Sequence, residues 1–404
     1  MELAVTLEDI RAAQERMRPM LVPTPCRRSS KLSALTGSDL YLKFENLQFT
    51  ASFKERGALN RLLRLSDAER RRGVYAVSDG NHGLAVAYHA RRLGIPVTIV
   101  MSRHTPFIKL EHTREEGAEI IQFGESLQEA YQHGRSLCAE RGLIFVHPYD
   151  DPDVIAGQGT IALEMLEAYP DIDVLVVQIG GGGLIAGVSV AAKGLKPSIE
   201  VIGVQAECHP SMIAGLKGEI AGYRGNTIAE GIALKSPGVL TLEIVRALVE
   251  EIMLVSEADL ERAMGMLLDF EKTVTEGAGA AGLAAVLSQT EQYRGRKVGI
   301  ILSGGNIDPR LLSSVIMREL VRGQRIVTLR IPIADKPGSL SGVTDVIAQQ
   351  GGNILDIAHR KLSTEAPARS ASLEVSFEAL DSVHAQHIVA KMREAGFEIS
   401  VTTH

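Results

Sequence analysis

Three cysteines in 404 residues are too few for a disulfide framework. Cys26, Cys138 and Cys208 are far apart and show no zinc-ligand spacing, so reduced thiols in a cytoplasmic protein are expected. Basic charge is also scarce: 43 Lys and Arg stand against 49 Asp and Glu, a net charge of −6. That balance carries no electrostatic footprint for nucleic acid, and none is expected as a partner. The one basic cluster, Arg70-Arg71-Arg72, suits the end of a helix, where cations complement the dipole. Glu2, Glu8 and Asp9 at the N-terminus do not fit a signal peptide. Residues 174–192 carry no charge and approach the length of a membrane span, but four glycines cut the stretch. A buried strand, a turn and a helix explain it, so no membrane partner is expected. Short-period repeats and low-complexity segments are lacking too.

Glycine is plentiful: 39 residues against roughly 28 at about 7% usage. Many backbone positions therefore turn tightly or approach something closely. The length implies two or three domains. Residues 6–18 read as a helix with Thr6 as N-cap and Leu7, Ile10, Ala13 and Met17 on one face. Pro23 and Pro25 end that segment. A strand and loop over 40–49 lead to a helical pattern at Ala58, Leu59, Leu62 and Leu63. Apolar strands at 74–77, 97–101, 119–123, 143–146 and 174–179 alternate with helices at 84–93, about 106–117, 127–141 and 160–168. Further strands fall at 201–204, 252–255 and 298–302. This alternation predicts βαβ crossovers and mainly parallel sheets, in an α/β catalytic part of two lobes spanning 1–321, the smaller lobe near 50–155. Past a helix end and linker at 318–325 the order becomes βαββαβ in about 80 residues, which is a ferredoxin-like module over 326–404.

Three glycine-rich stretches and one lysine carry the chemistry. Lys54 lies in Ser52-Phe53-Lys54-Glu55-Arg56-Gly57 at a strand-to-helix junction. The glycine stretches are Ser78-Asp79-Gly80-Asn81-His82-Gly83, Gly180-Gly181-Gly182-Gly183-Leu184 and Ser303-Gly304-Gly305-Asn306. Read singly, Lys54 is a solvated cation, Ser303 and Gly231 are turn residues, Glu276 is a surface helix cap, and His82 is a structural histidine. Together the motifs resemble the fold type II pyridoxal-phosphate enzymes, most closely the threonine dehydratases, over nearly the whole chain.

The resemblance implies that Lys54 supplies the Schiff-base amine and the catalytic base, beside Phe53. It implies that Gly180, Gly181, Gly182, Gly183 and Leu184 hold the cofactor phosphate at a helix N-terminus. Ser303 would face the pyridine nitrogen, Asn81 the 3′ oxygen, and Gly231 and Glu276 would line the ring. Ser78, Asp79, Gly80, Asn81 and His82 would hold the substrate carboxylate. The implied reaction is β-elimination of L-threonine to 2-oxobutanoate and ammonia, with L-serine giving pyruvate. A serine or 3-hydroxyaspartate racemase or dehydratase, and a non-catalytic amino-acid sensor, are the alternatives. The C-terminal part resembles an ACT domain, with Asp335-Lys336-Pro337-Gly338-Ser339-Leu340 and Gly352-Asn353-Ile354 at its effector loop, which implies an amino-acid effector. A homodimer or homotetramer is expected from the family.

Four departures stand out. Ala51 replaces a family glycine, Asp79 an alanine, Leu84 a glutamine, and Gln205 the glutamate of cation-binding relatives. Without that charge no metal is expected. Asp79 is expected to turn away from the site and cap the helix after Gly83.

Overall fold

The structure, a computed structural model, describes residues 3–222, 225–360 and 370–402. The chain divides into two compact units, Met1–Ile307 and Asp308–His404.

The strands of the first unit are β1 (Cys26–Arg28), β2 (Asp39–Lys43), β3 (Val74–Val77), β4 (Val97–Met101), β5 (Glu119–Gln122), β6 (Ile144–Phe145), β7 (Val174–Gln178), β8 (Glu200–Ala206), β9 (Glu251–Val255) and β10 (Lys297–Ile301). They form a large sheet of order β1-β2-β10-β7-β8-β9 and a small one of order β5-β4-β3-β6. Every pairing is parallel except β1 with β2. Helices cover both faces, which is why β7 is buried at all five positions and begins as an apolar run, Val174 to Val177, before the buried Gln178. The α/β class expected from the alternation is the one observed.

Two helices start earlier than their patterns suggest. The helix expected at 160–168 spans Pro152–Ala168, with Asp151 capping Asp153 and Val154 and Pro152 in its first turn. Gly157 and Gly159 had masked it. A Cβ on Gly157 would lie 2.6 Å from the Arg56 carbonyl oxygen, so glycine is required by a close helix crossing rather than by a turn. The helix expected at 84–93 begins at Asn81, so Asn81, His82 and Gly83 form its first turn. The Arg70-Arg71-Arg72 cluster closes the helix Asp67–Arg72, as its dipole argument required.

In the second unit a helix, Pro309–Arg322, precedes β11 (Ile326–Ala334), the helix Ser339–Gln349, β12 (Asn353–Arg360), β13 (Ser370–Glu378), the helix Ser382–Glu394 and β14 (Ser400–Thr402). The antiparallel sheet has the order β12-β13-β11-β14. Leu329, Ile331, Leu373, Val375 and Phe377 pack with Val343, Ile347, Ile388 and Met392 into its core. The module expected over 326–404 includes residues 361–369 and 403–404, which lie outside the described residues.

A buried charge cluster fixes the helix that carries Lys54. All five N–H donors of Arg56 are engaged: two on Glu45, both at 2.8 Å, two on Glu164 at 2.5 and 2.9 Å, and one on Thr160 at 3.0 Å. Lys43 completes the balance with a 2.5 Å contact to Glu164. Arg56 and Glu45 are wholly buried, so the two carboxylates keep the guanidinium charged by raising its pKa against desolvation. Arg56→Met should therefore leave Glu45 and Glu164 under-compensated and destabilise the protein by about 3–5 kcal/mol. Chemical denaturation measures this, and a loss below about 1 kcal/mol would show that the cluster carries no such burden.

Candidate active site

The segment before Lys54 is tied to the end of β10. Ser52 bridges Gly304, and the Phe53 N–H donates to the Ser303 carbonyl at 2.9 Å. Ala51 holds a left-handed φ of 51°, a strained position where glycine would fit without cost. Lys54 opens the helix Lys54–Leu63. Its Nζ donates to the Pro148 carbonyl at 2.7 Å and lies 5.2 Å from the centre of the Phe53 ring. Burial lowers the pKa of this amine to about 8, while the negative charge of Glu276 opposes the shift. A much larger share of neutral amine is present near neutrality than on a surface lysine, as a nucleophile and base requires.

Glycines make room around this amine. After β7 the chain turns through Gly182, at φ 99°, into the helix Gly183–Leu195, whose first N–H groups have no acceptor within the helix. The Gly181 carbonyl is held by the Thr241 hydroxyl at 2.6 Å and the Gly238 N–H at 3.1 Å. Tyr149 packs so tightly over Gly181 that a Cβ there would lie 2.4 Å from its ring. Leu184 is buried in the core beneath, leaving its backbone as the available contact. Gly180 lies against Gly231, and a Cβ on Gly231 would approach Oε1 of Glu276 to 3.3 Å. Ser303, only 2% exposed, follows β10.

Asn81 donates to Oε1 of Glu276 at 2.8 Å. Burial raises the Glu276 carboxyl to about 7, against the lowering pull of Lys109 and of the Asn81 hydrogen bond. Glu276 is also the N-cap of the helix Gly277–Ser288 by position, without a side-chain capping bond. Lys109 pairs with Glu230, next to Gly231, at 2.7 Å. His82 donates from Nε2 to the Val146 carbonyl at 2.8 Å, and burial depresses its pKa to about 3. It is neutral at physiological pH. Ser78 Oγ accepts from the Gly80 N–H at 3.2 Å and so shapes the turn.

Asp79 departs from expectation. It does turn away, but it does not cap the helix, whose N-cap is Gly80 with no side-chain bond. Its carboxylate instead accepts from the Ser102 N–H at 2.8 Å, the Ser102 hydroxyl at 2.9 Å and the Thr105 hydroxyl at 2.8 Å. These donors stand in the loop just beyond the end of β4, the strand next to β3, and outcompete a local cap. Asp150 and Asp151 are helix caps: Asp150 accepts from the N–H groups of Val239, Leu240 and Thr241. Gln205 is fully buried, with its oxygen on the N–H groups of Met212 and Ile213 and its amide nitrogen near the Ile179 and His209 carbonyls. Among the described residues no group of three or more His, Cys, Asp or Glu is placed to hold a metal ion.

Lys54, Asn81, the 180–183 loop, Gly231, Glu276 and Ser303 thus converge from separate parts of the first unit. Three participants had no reading in the sequence: Pro148 through its carbonyl, Tyr149 through its ring, and Asn306, which reaches Asn81 at 2.9 Å. Asn306 closes the third glycine motif and could have been found there; a backbone carbonyl leaves no sequence signal.

A glycine cradle, a helix N-terminus and a depressed lysine amine define a site for an anionic aldehyde cofactor. The family of pyridoxal-phosphate dependent enzymes matches residues 17–304, and the chain belongs to it. The L-threonine ammonia-lyase of Thermotoga maritima is 45% identical over 399 residues, 98% of this chain and 99% of that protein. The catabolic L-threonine dehydratase of Escherichia coli K12 is 44% identical over 318 residues, 78% of this chain and 97% of that protein. The structure of maize serine racemase superposes with a TM-score of 0.73 at 36% identity, covering 80% of this chain and 99% of that one. The fold type II class expected from the motifs stands, with pyridoxal phosphate as the cofactor. No helix among the described residues is long and apolar enough to cross a membrane.

The Lys54 shift has a consequence for stability. The unfolded chain keeps this proton to about 10.5, the folded chain only to about 8. Below pH 8 the desolvated cation costs the cofactor-free protein at most about 3 kcal/mol, and the cost is relieved as pH rises from 8 to 10.5. Cofactor-free Lys54→Met should therefore be more stable than cofactor-free wild type at pH 7 by about 1–3 kcal/mol, the gap narrowing above pH 8. Urea denaturation across that range measures it; equal stability at pH 7 would contradict the shift.

Proposed function

We propose that this chain is an ammonia-lyase acting on hydroxy-amino acids, with L-threonine as the preferred substrate and L-serine as the poorer one. The observation that carries the reading is the depressed Lys54 amine between the glycine cradle and the Asn81–Glu276 pair, in a chain 45% identical along its length to a threonine ammonia-lyase. Bound pyridoxal phosphate supplies the electron sink that lets the Cα proton leave.

In this reading Lys54 anchors the cofactor and, once released, takes the Cα proton on Nζ. Gly180, Gly181, Gly182, Gly183 and Leu184 offer backbone N–H groups to the phosphate. Ser303 offers a hydroxyl rather than a carboxylate to the ring nitrogen, which favours elimination over transamination. Asn81 contacts the 3′ oxygen, and Phe53, Gly231 and Glu276 enclose the ring. The turn of Ser78, Asp79, Gly80, Asn81 and His82 receives the substrate carboxylate through its N–H groups. With three hydrogen bonds directed away from the cleft, Asp79 neither repels that carboxylate at close range nor offers a base on the face opposite Lys54. This weighs against a racemase. The hydroxyl leaves as water, and hydrolysis of the enamine product gives the 2-oxoacid and ammonia.

A 2-oxoacid assay over both enantiomers of threonine and serine tests the reading. It should yield 2-oxoacid fastest from L-threonine, as 2-oxobutanoate, and more slowly from L-serine, as pyruvate, with no D-enantiomer formed. Lys54→Ala should lower kcat at least about 10³-fold with the fold intact by circular dichroism. Ammonia release by that variant at the wild-type rate, or racemisation without elimination, would overturn it.

The second unit is read as an ACT module, with catalysis in 1–321 and sensing in 326–404. The support is its βαββαβ order and the Lys336-Pro337-Gly338 turn leading into the helix Ser339–Gln349. An amino-acid effector is expected there, in a homodimer or homotetramer. Titrating the full-length enzyme with isoleucine, valine and threonine should shift its activity or its melting temperature. No response to any of the three would reduce the unit to an assembly element, and sedimentation would then report its role.

A further inference from the structure

We infer that Asn306 is a positioning residue that fixes which way the amide of Asn81 faces, and so which group Asn81 offers to the cofactor. The inference rests on the reading of Asn81 as the contact for the 3′ oxygen. It follows from a chain of donors and acceptors whose first member admits one role. The Thr50 carbonyl is a backbone oxygen and can only accept, so the Asn306 side-chain atom 2.7 Å from it is the amide nitrogen. The same nitrogen spends its second N–H on Asn81 at 2.9 Å, and the Asn81 atom facing it must then be the carbonyl oxygen. That orientation directs the Asn81 amide nitrogen to Oε1 of Glu276, at 2.8 Å. Each link forces the next, with no freedom for an amide flip.

Asn81 is left with one further N–H on the nitrogen that donates to Glu276. An acceptor such as a phenolate oxygen is the partner it suits, and its oxygen is withheld on the far side by Asn306. Glu276 accepts on Oε1 in either protonation state, which leaves Oε2 for its proton. The neighbouring backbone supports the geometry: a Cβ on Gly304 would lie 2.6 Å from Oε1 of Glu276 and 3.2 Å from Nδ2 of Asn81. The chain runs from Thr50, four residues before Lys54, through the third glycine motif to the first turn of the Asn81–Leu93 helix. Three segments that touch the cofactor site are thereby held in one register.

Asn306→Asp keeps the shape but removes both N–H donors, so Asn81 loses the acceptor-side restraint and can present its carbonyl oxygen to the cleft. Asn306→Leu removes the polar link altogether. Holoenzyme of both variants, and of Asn81→Ala, would be compared with wild type by visible absorption across pH and by cofactor dissociation constant. The expected result for both Asn306 variants is a move of about one unit in the pH at which the bound cofactor's band titrates, the equivalent of one hydrogen bond. Cofactor affinity should fall about tenfold with it. A merely structural Asn306 would lower the melting temperature and leave the band where it was. If Asn81→Ala moves the band and both Asn306 variants leave it unmoved, the positioning role is overturned while the reading of Asn81 stands. If Asn81→Ala itself leaves the band unmoved, the reading of Asn81 falls and the inference with it. Should Asn306→Leu fail to fold, the isosteric Asn306→Asp decides the matter alone.

Discussion

The cleft depends on where one helix begins. Lys54 stands at the first position of its helix, and its amine meets the Pro148 carbonyl only if that helix keeps its register against Pro152–Ala168. Two features impose the register. The helices touch backbone to backbone at Gly57 and Gly157, and Gly57 N–H donates to Gln158. Arg56, two residues past Lys54, then spends all five donors on Glu45, Thr160 and Glu164. A buried ion cluster of this kind contributes little net stability compared with apolar packing, but it admits few alternative arrangements. Here the value of uniqueness is positional, because the Lys54 amine lies at the end of a long, flexible side chain.

The same placement explains the electrostatics. Lys54 and Glu276 are both pushed toward their neutral forms by desolvation, to about 8 and about 7, and each partly restores the charge of the other. Groups whose charged forms burial disfavours in this way are the kind found at functional sites. His82 and His147, depressed by burial to about 3 and about 4, stay neutral and serve the loop instead: His147 Nδ1 accepts the Tyr149 and Asp150 N–H groups. The histidines nearest the lysine are thus the least suited to acid–base work.

Much of this was legible in the sequence, for physical reasons. Buried parallel strands such as β7 are mostly apolar, here from Val174 to Val177, and a glycine run between such a strand and a helix has few other uses. Lys54, Asn81 and Ser303 could be picked out because each adjoins a glycine-rich or aromatic marker. What was hidden depended on contacts distant in sequence. The start of the helix expected at 160–168 was missed because Gly157 and Gly159 are helical for a reason distant in sequence, the Arg56 carbonyl and Gly187 packed against them. Asp79 looked like a local cap because its partners, Ser102 and Thr105, arrive from the loop after β4, more than twenty residues away. Gln205 signalled a lost charge, while the two hydrogen bonds its side-chain oxygen accepts at the start of the Ser211–Lys217 helix were invisible. Pro148 acts through a carbonyl, which every residue carries.

The central claim is that Lys54 is the covalent anchor of the cofactor. Borohydride reduction of the holoenzyme followed by peptide mass spectrometry tests it most directly. The peptide containing Lys54 should carry the mass of the reduced pyridoxyl phosphate, at about one label per chain, with the visible colour lost. A label on any other lysine, or a chain that binds the cofactor and yields no labelled peptide, would contradict the account.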